Sequence, residues 1–421
     1  MFKTKFSYKN LLSLGNLILL DQIIVSGGNF LFSILVISFL GVKIFGIYSF
    51  FWLFILFVLS LQTSLIISPM FSNTFKYDPL KIDYFYGAML LKQVLFSILI
   101  FLLFYLFGDL INKYLIEYNF FNYLISFSSA LIVMQFYNFL RRVYFNKQFI
   151  KKIIFIDLLI YSLSSLLIFY LEYNKIFSLV NLFWLFTFTF SIGILLSFKI
   201  IFQFKIDFNF FLKTVNNNWI ISKWLFLTTI AQWLSGNLWI INAGIILGPF
   251  KFGIIRACQT LLSLTNIFFQ TFENFVPATT TKIYKKKGLK EMNKYLKIFR
   301  NKYLFLVNIF IFLIILMSKF LLNVFFGQEI SNYYYILIVL ALLIPINFLQ
   351  YPFIFGLRTM DFTKPILIAY VFSSLLGLFF SNIIITNYGI YGLLLGLYSS
   401  QILTTYILYK YYNKVLKKII I

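Results

Sequence analysis

Histidine is absent from this chain of 421 residues, and Cys258 is its single cysteine. Imidazole bases and histidine metal ligands are therefore excluded, and one cysteine can form neither an internal disulfide nor a cysteine metal site. The sequence also lacks an Asp-x-Asp pair, a phosphate-binding glycine-rich loop and a Walker sequence. These absences argue against a nucleotide-driven pump and a metal-dependent sugar transferase. We expect no cofactor, no metal site and no enzymatic activity.

Acidic residues are scarce as well, since 12 Asp and Glu stand against 36 Lys and Arg and give a formal net charge of +24. In a soluble protein this charge would suggest a nucleic-acid partner. Charged residues make up only 11% of the chain, however, while apolar residues make up 61% and the mean hydropathy is +0.91. Such values lie outside the range of soluble domains. They predict an all-α polytopic membrane protein whose lysines meet anionic lipid, with no nucleic-acid partner.

Apolar segments of about 20 residues, the length that crosses a bilayer, occur repeatedly along the chain. Twelve spans are predicted near residues 11–40, 45–72, 87–108, 120–140, 153–171, 176–198, 219–247, 252–280, 303–326, 332–356, 364–386 and 390–409. Most cations, including Lys3 and Lys5 before the first span and Lys92 after the second, fall on one side of this arrangement. The positive-inside rule makes that side cytoplasmic and places both termini there. The exceptions among the 36 cations are Lys43, Lys113, Lys175, Lys251, Arg256 and Lys319.

A glycine pattern divides the chain into two copies of one unit. Gly28-Asn29, Gly41 and Phe45-Gly46-Ile47 of the first half recur in the second half as Gly236-Asn237, Gly248 and Phe252-Gly253-Ile254. The same glycine-containing motifs at corresponding positions of two apolar segments are typical of transporters built from structural repeats. We predict two six-helix lobes, residues 1–210 and 211–421, related by an axis along the membrane normal.

Polar residues recur at helical spacing inside three spans. Because intervals of three and four residues place side chains on one helical face, each set forms a stripe that cannot face lipid. Such stripes either join neighbouring helices or line a path for substrate. The stripes are Gln22, Ser26, Asn29 and Ser33 in span 1, Thr228, Gln232, Ser235, Trp239 and Asn242 in span 7, and Arg256, Gln259, Ser263, Asn266, Gln270 and Glu273 in span 8.

Ionisable residues within spans are the leading site candidates, because a charge inside the membrane usually lines a cavity or pairs internally. Arg256 is predicted to bind an anionic group such as a phosphate, or else to anchor the outer end of span 8 at the interface. Asp21 and Glu273 are candidates for carrying protons or sodium ions, with a structural ion pair as the alternative. Asp157 is interpreted as an interfacial residue beside cytoplasmic lysines.

Three segments of the sequence, one in the first half and two in the second, resemble a known family. GVKIFGIYS at 41–49, AQWLSGN at 231–237 and LGPFKFGIIRACQ at 247–259 are similar to segments of the bacterial polysaccharide flippases. These proteins belong to the multidrug/oligosaccharidyl-lipid/polysaccharide exporter superfamily. The chain departs from the family at Ile255, where tyrosine is more frequent. The first copy has Ser49 where the second has Arg256, so a charge-based site should differ between the halves.

The resemblance implies export of an undecaprenyl-diphosphate-linked oligosaccharide, an O-antigen or capsule repeat unit, across the bacterial inner membrane. Arg256 would then attract the diphosphate, Trp239 would stack on a sugar ring, and H+ or Na+ moving through Asp21 or Glu273 would drive transport. Membrane lipids and polysaccharide-assembly membrane proteins are the further partners implied. Hydrogen bonds to sugar hydroxyls would come from Gln232, Asn242, Gln259, Asn266 and Gln270.

Other classes of protein remain open at this point. A cation-coupled multidrug exporter of the same superfamily would use Asp21 and Glu273 for an organic cation. An integral-membrane polysaccharide polymerase or glycosyltransferase is disfavoured by the short outer loops. A major-facilitator transporter shares the twelve-span plan, but its basic glycine-rich signature is missing from residues 72–86.

Overall fold

The structure is a computed structural model that describes residues 8–78 and 80–420, and all of their side chains except those of 8–16, 221, 267, 268, 271, 274 and 418–420. Lys3 and Lys5, which the topology prediction uses, lie outside these residues. Every regular element that is described is helical. The α-helices are Tyr8–Gln62, Ser68–Asn73, Ile82–Leu106, Gly108–Tyr114, Phe120–Asn146, Ile150–Tyr173, Leu179–Leu196, Phe198–Ile201, Phe208–Leu262, Asn266–Leu316, Ser318–Phe326, Gln328–Ser331, Tyr334–Thr359 and Lys364–Ile420.

Short segments of other helix types interrupt this series. Thr63–Ile67 is a π-helix, and Thr74–Lys76, Ile116–Tyr118 and Ser263–Thr265 are 3-10 helices. Within the described residues, nine helical segments are long and apolar enough to cross a membrane. Three of these segments, Leu17–Lys76, Ser222–Thr265 and Lys364–Lys417, run from 44 to 60 residues, which is the length of two spans, and the other six correspond to one span each. The predicted twelve-span all-α fold is thereby confirmed.

Glycines interrupt four of the long helices. Gly41, Gly248, Gly288 and Gly389 all have positive φ and non-helical dihedral angles inside otherwise continuous helix. Side chains other than glycine's rarely adopt this conformation, which explains the residue type at each break. Gly41 has φ 80° and ψ 171°, and Gly248 has φ 76° and ψ 170°. The repeat seen in the sequence therefore extends to the backbone conformation of its turn glycines.

Two predicted boundaries are wrong. Residues 281–302 lie between predicted spans 8 and 9, but the helix Asn266–Leu316 continues through them with a break at Gly288. Met292, Leu296 and Phe299 are buried along one face of this stretch, at helical spacing, while the lysines around them are mostly exposed. This amphipathic pattern stabilises a helix between the two predicted spans. Span 9 likewise ends at Leu316, and Ser318–Phe326 forms a separate short helix.

The chain forms two compact units. Unit 1 comprises Met1–Gly41 and Ile47–Thr229, and unit 2 comprises Val42–Gly46 and Ile230–Ile421. One boundary between them falls inside the helix Phe208–Leu262, and the division into two six-helix lobes after residue 210 stays a prediction.

Aromatic side chains fill the core of unit 1. The ring of Phe51 lies 5.7 Å from that of Phe120, 4.7 Å from that of Phe127 and 5.6 Å from that of Phe183, measured between centroids. All four rings are almost fully buried. Contacts of this kind add to the energy of burying the rings and hold spans 2, 4 and 6 together.

Unit 2 has an aromatic cluster of its own around Phe299, whose ring lies 5.3 Å from that of Phe272 and 5.7 Å from that of Phe348. The repeated glycines also pack within this unit. A Cβ atom at Gly46 would collide with the carbonyl oxygen of Pro249, and one at Gly253 with that of Val42. Each contact is the counterpart of the other in the repeat, and each requires the close backbone approach that glycine permits.

Candidate functional site

Unit 1 contains a buried ionic cluster of Asp21, Arg141 and Asp157, contributed by spans 1, 4 and 5. Nη2 of Arg141 donates a hydrogen bond to Oδ2 of Asp21, and its Nε donates one of 2.8 Å to Oδ2 of Asp157. The hydroxyl of Tyr137 donates to the second oxygen of Asp157 at 2.5 Å. Both carboxylates are only 1% exposed. The guanidinium therefore bonds two carboxylates that would be very costly to bury without a cation, although its one positive charge balances only one of theirs.

The surroundings of this cluster include the repeated Gly-Asn motif. The ring of Tyr161 occupies the space where Gly28 has no side chain, and its hydroxyl donates to Oδ1 of Asn29 at 3.4 Å. On the same span, Nε2 of Gln22 donates to the hydroxyl of Ser26 at 2.9 Å. One group in the cluster is unsatisfied: Oδ1 of Asp21 accepts no hydrogen bond from the described residues.

Two members of the ionic cluster were misjudged from the sequence. Asp157 was interpreted as an interfacial residue, but it is buried and bonded to Arg141 and Tyr137. Arg141 was counted only among the cytoplasmic cations. The spacing contains a usable signal, because Tyr137 and Arg141 are four residues apart, as are Asp157 and Tyr161, and such pairs share a helical face. Ion movement through Asp21 stays a prediction. In the structure the carboxylate of Asp21 is paired with Arg141.

A chain of amide side chains, which the sequence analysis did not single out, joins spans 2, 3 and 4 in unit 1. Nε2 of Gln62 donates to Oε1 of Gln93 at 2.8 Å and to the backbone carbonyl of Gln135 at 2.6 Å. Nδ2 of Asn138 donates to Oε1 of Gln62 at 2.7 Å. Gln62, Gln93 and Gln135 are fully buried. The bonds of Gln62, Gln93 and Asn138 stabilise a specific packing of the three helices, whereas both side-chain polar atoms of Gln135 lack a partner among the described residues.

In unit 2, the polar face of span 8 begins with Arg256 and Gln259. Both side chains are partly exposed, and Nη1 of Arg256 donates to Oε1 of Gln259 at 2.7 Å. The predicted continuous helical face is interrupted after these residues by the 3-10 turn Ser263–Thr265. The hydroxyl of Ser263 bonds the carbonyl oxygen of the residue three positions earlier, as does that of Thr265. Such bonds compete with the helical ladder, which explains the interruption.

The remaining polar residues of this face lie beyond the turn. Asn266 and Glu273 are exposed and Gln270 is partly buried, while Gln232 of span 7 is also exposed. All four side chains are thus accessible in unit 2. Among the described residues, no group of three or more His, Cys, Asp or Glu could hold a metal ion.

Trp239 and Asn242 of span 7 both bond serines of the helix Lys364–Ile420. The indole of Trp239 is fully buried, packs against the backbone of Gly396 and donates from Nε1 to the hydroxyl of Ser400 at 2.8 Å. Nδ2 of Asn242 donates to the hydroxyl of Ser381. The enclosed indole has no free face for a sugar here, whereas the side chain of Asn242 is partly exposed, and the substrate contacts of both residues stay predictions.

Comparison with known proteins yields similarity in structure alone, because no protein-family model and no curated protein matches the chain. An inward-facing multidrug resistance MATE family transporter of the MOP superfamily aligns with a TM-score of 0.78 at 12% identity, over 94% of this chain and 95% of its own. The lipid II flippase MurJ, in an inward closed conformation, aligns with a TM-score of 0.70 at 15% identity, over 94% and 86%. A MOP superfamily transporter from Pyrococcus furiosus gives 0.66 at 13% identity, over 96% and 95%. The chain therefore has the fold of the MOP superfamily transporters.

Proposed function

We propose that this protein is a flippase that moves a lipid-linked oligosaccharide, an O-antigen or capsule repeat unit on undecaprenyl diphosphate, from the cytoplasmic to the outer leaflet of a bacterial inner membrane. The observation that carries the proposal is the pairing of Asp21 with Arg141. Because this carboxylate and Asp157 both bond the guanidinium of Arg141, each already has a cationic partner in unit 1, and this weakens the attraction of the pair for an organic cation. The similarity in fold to a lipid II flippase supports the same reading.

The polar face of span 8 has the chemistry that an anionic glycan requires. Arg256 carries a permanent positive charge suited to phosphate oxygens. The amides of Gln259, Asn266 and Gln270 each offer donors and acceptors to sugar hydroxyls. A hydroxyl-rich, charged head group cannot cross hydrocarbon unaided, whereas its lipid tail can stay in the bilayer. The protein would therefore need to shelter only the head group.

Deletion of the gene tests this function. We expect lipid-linked repeat units to accumulate on the cytoplasmic leaflet while their synthesis continues, and the intact gene to restore export. The leaflet is assigned by treating spheroplasts with a glycosidase that cannot enter the cell. Loss of synthesis would instead indicate a transferase, and normal export would contradict the proposal.

A cation-coupled multidrug exporter is the second candidate, and Glu273 is the observation that favours it. This carboxylate is exposed within span 8, which suits a cationic substrate or a coupling ion. Efflux of a cationic dye from cells separates the two functions. Dye accumulation that rises on deletion and falls on complementation, with unchanged surface polysaccharide, would favour the exporter.

The orientation of the protein is part of the proposal. Reporter tags at Lys147, Lys287 and the carboxyl terminus should all report cytoplasm, and a tag at Asn387 the opposite side, because cations concentrate after the even-numbered spans. A tag at Lys287 that reports the outer side would invert the proposed orientation.

A further inference from the structure

Lys92 carries a positive charge deep within a membrane span. It is the only basic residue of the helix Ile82–Leu106 and lies about 15 Å from its first residue at 1.5 Å per residue. From the sequence alone, Lys92 was grouped with the cytoplasmic cations. The ammonium contacts the backbone of span 2 at Leu65, which is itself about 16 Å from the end of that span at Lys76. Lys92 and its partner Leu65 thus lie at about the same distance from the corresponding ends of their two helices.

The carbonyl oxygen of Leu65 is available because span 2 departs from α-helical geometry there. Leu65 lies in the π-helix Thr63–Ile67, and Pro69, whose position would normally supply the hydrogen bond to Leu65, has no N–H. Nζ of Lys92 donates to this oxygen at 2.7 Å, and the hydroxyl of Ser222 donates to it at 3.4 Å. The carbonyl therefore has a second donor besides the lysine.

The ammonium, in contrast, is under-satisfied. It has three N–H donors, and the carbonyl of Leu65 is the one acceptor that the described residues provide. No carboxylate of the described residues lies within ion-pair distance of it. The side chain is partly buried, and so water compensates the charge incompletely. A charge of this kind inside a span is stabilised by an anionic partner.

We propose that Lys92 binds the phosphate or diphosphate group of a lipid-linked substrate. The inference rests on the proposed function and adds to it a phosphate contact in unit 1. The ammonium suits this ligand because it is a compact charge with rotatable donors on a flexible stem. When it turns to the phosphate, Ser222 remains to bond the carbonyl oxygen of Leu65.

Binding of farnesyl diphosphate to the purified protein in detergent tests the inference. Farnesol is the uncharged control ligand, and inorganic pyrophosphate shows whether the site takes the free anion as well as the lipid. We expect Lys92→Met, which keeps the length of the side chain without its charge, to weaken farnesyl diphosphate binding at least about tenfold and to leave farnesol binding unchanged. Lys92→Arg should retain most of the affinity.

A purely structural role for Lys92 can be distinguished from phosphate binding by restoring the backbone donor that Pro69 lacks. Pro69→Ala supplies an N–H for the carbonyl of Leu65, and so Lys92→Met combined with Pro69→Ala should recover the thermal stability that Lys92→Met loses. The affinity for farnesyl diphosphate should stay low in this double variant. Recovery of affinity together with stability would mean that Lys92 only satisfies the carbonyl, and would overturn the inference.

The outcomes also separate this inference from the proposed function. Equal binding of farnesyl diphosphate by the wild type and Lys92→Met overturns the phosphate contact, whatever the deletion strain exports. Binding that depends on Lys92, in a strain whose export is unaffected by deletion, supports the contact and contradicts the flippase function.

Discussion

Unit 1 and unit 2 hold the polar side chains of their membrane helices by different means. In unit 1, Asp21 of span 1 is bound by the guanidinium of Arg141, which also bonds Asp157. In unit 2, span 7 is held by neutral contacts: Trp239 bonds Ser400 at 2.8 Å, and the hydroxyl of Ser235 bonds that of Ser373 at 2.9 Å.

The difference shows how far the internal repeat extends. Gly41 and Gly248 have nearly identical backbone angles, and so the copies share their turn geometry. The polar contacts are not shared, because Thr229 is the residue of the second copy that corresponds to Asp21 in the register of the Gly-Asn pairs. Since the energy of a contact depends on its charge and burial, equivalent spans should respond differently when their contacts are broken.

The largest effect is expected in the ionic cluster of unit 1. Arg141→Met leaves two buried carboxylates without their cation, which costs about 3–5 kcal/mol of folding stability. We therefore expect little protein in the membrane and a large fall in the Tm of whatever can be purified. Arg300→Met is the matched control, because the guanidinium of Arg300 bonds the neighbouring exposed Asn301, and its loss should change neither quantity.

Neutralising Asp21 and Asp157 tests the same ionic cluster through its acidic partners. Arg141→Met combined with Asp21→Asn and Asp157→Asn should restore part of the abundance, since no uncompensated charge remains. Failure of the triple variant to exceed Arg141→Met would indicate that packing of the arginine, and not its charge, holds unit 1 together.

A smaller effect is expected from steric crowding in unit 2. A Cβ atom at Gly396 would collide with the indole of Trp239, so Gly396→Ala should cost about 1–3 kcal/mol and lower the Tm. Gly236→Ala is the control on span 7, where no atom lies within 4 Å of the added Cβ. There the change should be neutral or slightly stabilising, because alanine favours helix over glycine. Equal effects of both substitutions would contradict the packing described here.

The sequence predicted the fold well because its signals are local. Each span is set by apolar length, and glycine marks the breaks at Gly41 and Gly248. The contacts of the candidate site were harder to predict, because they join segments that are far apart in the sequence. Asp21 and Arg141 lie 120 residues apart in sequence, and nothing local distinguishes Arg141 from a topological cation. Lys92 was assigned to the cytoplasmic face for the same reason, because its partner carbonyl becomes available through Pro69 on another helix.

The hydrogen bond between Trp239 and Ser400 should contribute less than either preceding contact. Trp239→Phe keeps an aromatic ring but removes the donor, and Ser400→Ala removes the acceptor; a neutral buried bond is worth about 0.5–1.5 kcal/mol. Tm values of the two single variants and their combination, read as a double-mutant cycle, should yield an interaction of this size. Oligosaccharide export should persist in Trp239→Phe at normal abundance. Lost export with unchanged stability would assign Trp239 to the substrate site.

The smallest effect on stability, with a large effect on transport, is expected at Arg256. Its side chain is partly exposed and bonds Gln259 on its own helix, so Arg256→Ala should shift the Tm little. If the guanidinium binds the anionic head group, Arg256→Ala and Arg256→Glu should abolish export, whereas Arg256→Lys should retain part of it, because the ammonium keeps the charge and loses the planar fork. Gln259→Ala controls for the broken hydrogen bond and should leave more activity than Arg256→Ala. Abundance must be measured beside export, since full export by a stably inserted Arg256→Ala protein would assign the arginine to anchoring at the membrane interface.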